Sequence, residues 1–154
     1  MRSGTLDTPA VAGLSVAASL AVERRPELSA RLSALRDDLV RRVLEAVPDA
    51  VLNGVPVPSA DRLPGNAHFS FPGCEGDSLL LLLDARGVEV STGSACSAGV
   101  ARPSHVLLAM GADEDAARSS LRFSLGHTST TVDVDALVAV LPAVVERASR
   151  VVLR

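Results

Sequence analysis

The chain has 154 residues, a mass of 15.9 kDa and a formal net charge of -3, the dimensions of one soluble domain rather than several. With 47% hydrophobic and 21% charged residues it is a folding sequence, and its slightly acidic balance supplies no global field for nucleic acid or an anionic membrane. Trp and Tyr are absent and Phe occurs 3 times, which leaves almost no material for stacking bases.

All 15 basic residues are arginine, so the chain contains no lysine and cannot form a Schiff base through a side-chain amine. Cys74 and Cys96 are the only cysteines. They form neither a disulfide framework nor a zinc cluster, and a reduced cytoplasmic setting is expected. The apolar run from Pro9 to Val22 resembles a signal-peptide core, but it has one basic residue before it and no clean cleavage site. The Leu79–Leu83 run is far shorter than the about 20 residues that span a bilayer.

In chain order, Asp7-Thr8-Pro9 predicts a capped helix running to about Val22. Pro26 is expected to open a second helix, with an apolar stripe of Leu28, Leu32, Leu35, Leu39 and Val43. Arg31, Asp38, Arg41 and Arg42 fall off that stripe and are expected in solvent, and Pro48 ends the helix. Val51-Leu52 reads as a short strand before the Asn53-Gly54 turn, and Val55 to Asn66, rich in Pro, as a loop. Ala67–Phe71 alternates as a half-buried strand. A helix is expected from about Glu75 to Arg86 with Gly87 as its stop, then a short strand at Val88–Val90. Pro103-Ser104 opens a helix through Met110, and Asp113, Glu114 and Asp115 suit the first turn of another. Leu121, Phe123 and Leu125 alternate with Arg122 and Ser124, which places Arg122 on the polar face of a strand. A final helix is expected from Asp133 to about Leu153, kinked or interrupted at Pro142. Helices interleaved with short strands give an α/β class, more closely an α+β sandwich, in one domain over 1–154.

Three places carry candidate chemistry. Cys96 lies in a loop of Gly, Ser and Ala (residues 91–100), which either frees a nucleophilic thiol to swing or holds a small inert cysteine in a turn. Arg122 suits either a bidentate grip on a carboxylate or a surface ion pair. Arg2-Ser3-Gly4-Thr5 suits either phosphate binding before a helix or a frayed terminus. Cys74 reads as a loop or helix-start residue. His68 reads as packed or hydrogen-bonded, and His127 as a turn residue. The three histidines have no metal-ligand spacing, so no metal site is expected.

Three segments together resemble the C-terminal part of the NifS/IscS-like cysteine desulfurases, within the class V aminotransferases. They are Ser91-Thr92-Gly93-Ser94-Ala95-Cys96, Pro103-Ser104-His105-Val106-Leu107 with Met110-Gly111, and Ser119 to Gly126 (SSLRFSLG). The opening Arg2-Ser3-Gly4-Thr5 is similar to the family's R-S-G-T junction from the large domain. The resemblance implies the C-terminal small domain of a fold-type I pyridoxal phosphate enzyme that converts L-cysteine to L-alanine. In it, Cys96 would accept the sulfur as a persulfide, for iron–sulfur assembly or tRNA thiolation. Arg122 would hold the substrate carboxylate and Thr5 would reach the cofactor phosphate of the neighbouring subunit of a homodimer. An acceptor protein is implied as a partner, with no direct contact to nucleic acid or membrane. The family's cofactor lysine lies upstream of R-S-G-T and is absent here, so the chain alone is expected to be inactive. It reads as a fragment, a mis-assigned start at Met1 or a half-enzyme needing a partner chain. The alternatives are a non-enzymatic persulfide carrier and an inactive dimerisation or docking remnant.

Overall fold

The computed structural model describes residue 4, residues 7–92 and residues 103–152. The first element is α1 (Thr8–Ala46), one continuous helix of 39 residues. Asp7 caps it, its Oδ1 accepting from the Ala10 amide at 3.1 Å, with Pro in the first turn where no N–H partner is needed. The expected division at Pro26 does not occur. Pro26 removes one helical N–H, but residues 20–27 are exposed, so water satisfies the released carbonyl and the helix runs through. From Leu28 onward the expected stripe turns inward: Leu32, Leu35, Leu39 and Val43 are buried. Arg36 and Val40 join them on the same face.

A three-stranded antiparallel sheet follows, formed by β1 (Val51–Leu52), β2 (Asn66–Ser70) and β3 (Ser120–Ser124) in that order. The β2–β3 register pairs Ala67 with Phe123, His68 with Arg122 and Phe69 with Leu121. Directly opposed residues of an antiparallel pair point to the same side. One face therefore carries Ala67, Phe69, Leu121 and Phe123, all buried, and the other carries Asn66, His68, Arg122 and Ser124. The Phe69 ring meets Phe123 edge-on at 5.9 Å and Phe71 at 6.2 Å.

The apolar face is covered by α1, by α2 (Gly76–Asp84) and by α5 (Thr131–Val152). In α5 the buried residues Val134, Leu137, Leu141, Val144 and Ala148 recur at spacings of three and four. The exposed Pro142 neither ends nor divides that helix. The other face meets two short helices, α3 (His105–Ala109) and α4 (Glu114–Arg118); Ser104 opens the first as expected, while Asp113, expected in the first turn of the second, caps it instead. The Ser104 hydroxyl accepts from the Leu107 amide, and Asp113 Oδ1 accepts from Ala116 at 2.7 Å. The fold class is thus the expected one, short strands covered by helices.

One expected strand is missing. Val88–Val90 forms no ladder, and only Ser91 is bridged, exchanging backbone hydrogen bonds with Arg122 at 2.7 and 3.2 Å. The turn at Gly87, with φ +75°, delivers the chain to the edge of β3 for that single bridge.

Two contacts lock the loop between β1 and β2. A Cβ on Gly65 would stand 2.4 Å from the Leu125 carbonyl oxygen, so only glycine lets the loop run beside the end of β3. Arg36, 1% exposed, donates to Asp37 through Nε and Nη2 at 2.9 and 2.7 Å. Its Nη1 donates to the Leu63 and Arg62 carbonyls at 3.0 and 3.4 Å. Replacing Arg36 by Met fills the space but orphans both carbonyls, and we expect a loss of about 2–3 kcal/mol in urea unfolding. An unchanged midpoint would show that the clamp carries no stability.

A polar site on the outer face of the sheet

Arg122 stands at the centre of β3 on the face turned away from the core, where alternation puts it. Its Nη2 donates to Ser91 Oγ at 3.4 Å, and among the described residues no carboxylate lies within ion-pair distance. The guanidinium borders a cavity of about 390 Å³ between the sheet, the 53–63 loop and α3. His68, Asn53 and Asn66 line it from the sheet side, Arg62 and Asp61 from the loop, and Leu107 and Met110 from α3.

The polar groups of this cavity are tied together. Ser70 Oγ donates to the Ala116 carbonyl at 2.7 Å. Asn53 Nδ2 donates to Ser70 Oγ at 2.9 Å and lies 3.0 Å from His68 Nδ1. Arg62 donates to the carbonyls of Asn53, at 2.7 Å, and Val55, which fixes the end of β1 to the loop. Asn66 lines the cavity, and its Oδ1 is buried with no hydrogen-bond partner among the described residues.

Electrostatics favour anions here. Burial, reinforced by the charges of Arg122 and Arg62, pushes the His68 pKa below its usual value of 6.5. Burial also lowers the Arg62 pKa, with the neighbouring Arg36 adding to it and Asp37 opposing. His68 therefore contributes full stability above pH 6.5 and loses it as pH falls from 6.5 toward its lower folded value, because only the unfolded state takes up the proton in that window.

The remaining sequence candidates are distributed differently. Cys96 and Thr5 lie outside the described residues. Cys74 precedes α2 and is buried, with Sγ 3.7 Å from the Val145 carbonyl. Burial raises its pKa, so it is a poor nucleophile. His68 is hydrogen-bonded, as its strand position suggests, and His127 lies in a turn where its carbonyl accepts from Arg31 at 2.8 Å. Among the described residues no group of three or more His, Cys, Asp or Glu could hold a metal, and no helix is long and apolar enough to cross a membrane. Sequence reasoning missed Asn53, Arg62 and Asn66. Asn53 was legible only as a turn residue, and nothing local marks the others.

Residues 1–137 match the aminotransferase class-V family, and the chain belongs to it. It is 59% identical over 153 residues to the IscS-like cysteine desulfurase of Mycobacterium tuberculosis, covering 99% of this chain and 38% of that protein. It is 44% identical over 146 residues to the cysteine desulfurase IscS of Clostridium botulinum, covering 95% and 36%. The NifS-like protein from Rickettsia africae superimposes with a TM-score of 0.76 at 29% identity, over 94% of this chain and 36% of that one. The chain thus spans a little over a third of the length of these relatives. The class implies pyridoxal phosphate. The residues present do not fit its covalent attachment, because the 154 residues contain no lysine.

Two expectations follow. His68 ring resonances should titrate below pH 6.5, and a midpoint at or above that value would contradict the burial and charge argument. Iodoacetamide should modify Cys74 slowly in the native chain and rapidly in urea, with Cys96 alkylated first, as read by peptide mass spectrometry; equal rates in the native chain would refute this.

Proposed function

We propose that this chain supplies the substrate-carboxylate and sulfur-accepting part of a pyridoxal phosphate-dependent cysteine desulfurase, as its C-terminal small domain. Arg122 binds the carboxylate of L-cysteine, and Cys96 accepts the sulfur as a persulfide while L-alanine is released. Thr5 meets the cofactor phosphate of a neighbouring subunit in a homodimer. The persulfide passes to an acceptor protein, such as an iron–sulfur scaffold or a tRNA-thiolation protein, in the cytoplasm. The observation that carries the reading is Arg122 itself: it lines a cavity and has no acidic partner among the described residues, beside a site biased toward anions. The two named desulfurase relatives support it.

The lysine that holds the cofactor must come from elsewhere, since this chain has none. The first half of α1 supports a covering neighbour: Val11, Leu14, Val16 and Val22 are 59% to 71% exposed along one stretch of helix. The lysine-free composition also favours a second reading, a sulfur carrier loaded by a separate protein.

A chimaera in which this chain replaces the matching segment of the Mycobacterium tuberculosis relative tests both. With L-cysteine and pyridoxal phosphate it should release alanine and carry a persulfide on Cys96. Cys96→Ser should abolish sulfur transfer with folding intact. Arg122→Ala should raise the apparent KM for L-cysteine about 10- to 150-fold, the value of a charged hydrogen bond. An inactive chimaera whose isolated chain still takes sulfur from a persulfide donor would favour the carrier. An unaltered KM would remove Arg122 from the carboxylate site.

A further inference from the structure

We propose that His68 is a second ligand for the carboxylate that Arg122 binds, donating from Nε2–H while Asn53, Ser70 and the Ala116 carbonyl hold its ring. This rests on the carboxylate reading of Arg122. The argument starts from a single proton. The Ala116 carbonyl can only accept, so the Ser70 hydroxyl proton is spent on it. Ser70 Oγ must then accept from Asn53, which fixes the amide nitrogen of Asn53 on that side. The same nitrogen faces His68 Nδ1 at 3.0 Å, so Nδ1 is the acceptor. A neutral imidazole with Nδ1 accepting carries its proton on Nε2.

Protonating Nδ1 would set two donors against each other. It would also add a positive charge to a cavity lined, among the described residues, by Arg122 and Arg62, with Asp61 the one carboxylate among them. The ring is thus kept neutral, and its one N–H is turned away from the relay. His68 lines the cavity and sits directly across the ladder from Arg122, on the same face of the sheet. A carboxylate gripped by a guanidinium keeps lone pairs free for a further donor. The Nε2–H supplies one without raising the charge of the site. The relay is anchored on α4, an element distant in sequence, so the tautomer is set by the tertiary fold.

The test uses the full chain labelled with 15N, its histidine ring nitrogens read by long-range proton–nitrogen spectra at pH 7. Before ligand, His68 should be the Nε2–H tautomer. L-cysteine under reducing conditions should shift Nε2, and cysteamine, which lacks the carboxylate, should not. His68→Phe should weaken L-cysteine binding about tenfold, and His68→Gln, which keeps a donor near the Nε2 position, should retain most of it. Both variants lose the Nδ1 acceptor, so their difference isolates the donor. An Nδ1–H tautomer, an equal response to cysteamine, or wild-type affinity in His68→Phe overturns the proposal. Arg122→Gln separates the two readings. If it loses binding while His68→Phe does not, Arg122 keeps its role and His68 does not. If it binds as wild type, or wild type shows no shift with L-cysteine, the carboxylate site itself falls. The tautomer readout needs no substitution, so a variant that fails to fold leaves the proposal open to refutation.

Discussion

The outer face of the sheet depends on one buried guanidinium. Arg36 leaves α1 among Leu35, Leu39 and Val40 and is 1% exposed, a position where an unsatisfied charge would be prohibitive. It is tolerated because Asp37 takes two of its donors and the Leu63 and Arg62 carbonyls take more. The effect is to staple the 53–65 loop, which has little regular structure of its own, to the buried face of α1. From there the order propagates. Arg62, fixed through its carbonyl, holds the carbonyls of Asn53 and Val55, and the Asn53 amide reaches His68 and Ser70. A site at the sheet centre is thus positioned by a charge on the far side of the core.

The sheet separates two jobs by its period. Phe69, Leu121 and Phe123 turn inward and dry the interface with α1, α2 and α5, while His68 and Arg122 turn outward toward the cavity. Neither job intrudes on the other, because alternate residues of a strand face opposite sides. The outer face carries the donors of Arg122 and His68 and a buried, unpartnered acceptor at Asn66 Oδ1. It can recognise an anion with hydrogen-bonding groups, but it offers no amine. For a chain of the class-V aminotransferase family, covalent attachment of the cofactor through a lysine is therefore not available within these 154 residues.

Legibility in the sequence followed the range of the forces involved. The cap at Asp7, the helix start at Ser104 and the stop at Gly87 act within a few residues, and each was readable; Asp113, expected in the first turn of α4, caps it instead. So was the orientation of Arg122, which needs only the period of two. Pro26 misled because a proline breaks a helix only where its lost hydrogen bond cannot be replaced, and here the exposed side is open to water. Val88–Val90 misled because strand propensity without a partner makes no strand; Ser91 alone reaches β3.

By itself, the sequence determined most of the elements, the inward and outward faces, the family and the absence of a lysine, all consequences of composition, period or contiguous motif. The tertiary structure decided which polar residues meet. Arg36 meets a carbonyl 27 positions away, Asn53 meets a histidine 15 away, and Ser70 meets a carbonyl 46 away. Such hydrogen bonds leave no local periodicity, because each partner is chosen by the packing of separate elements rather than by its neighbours in the chain.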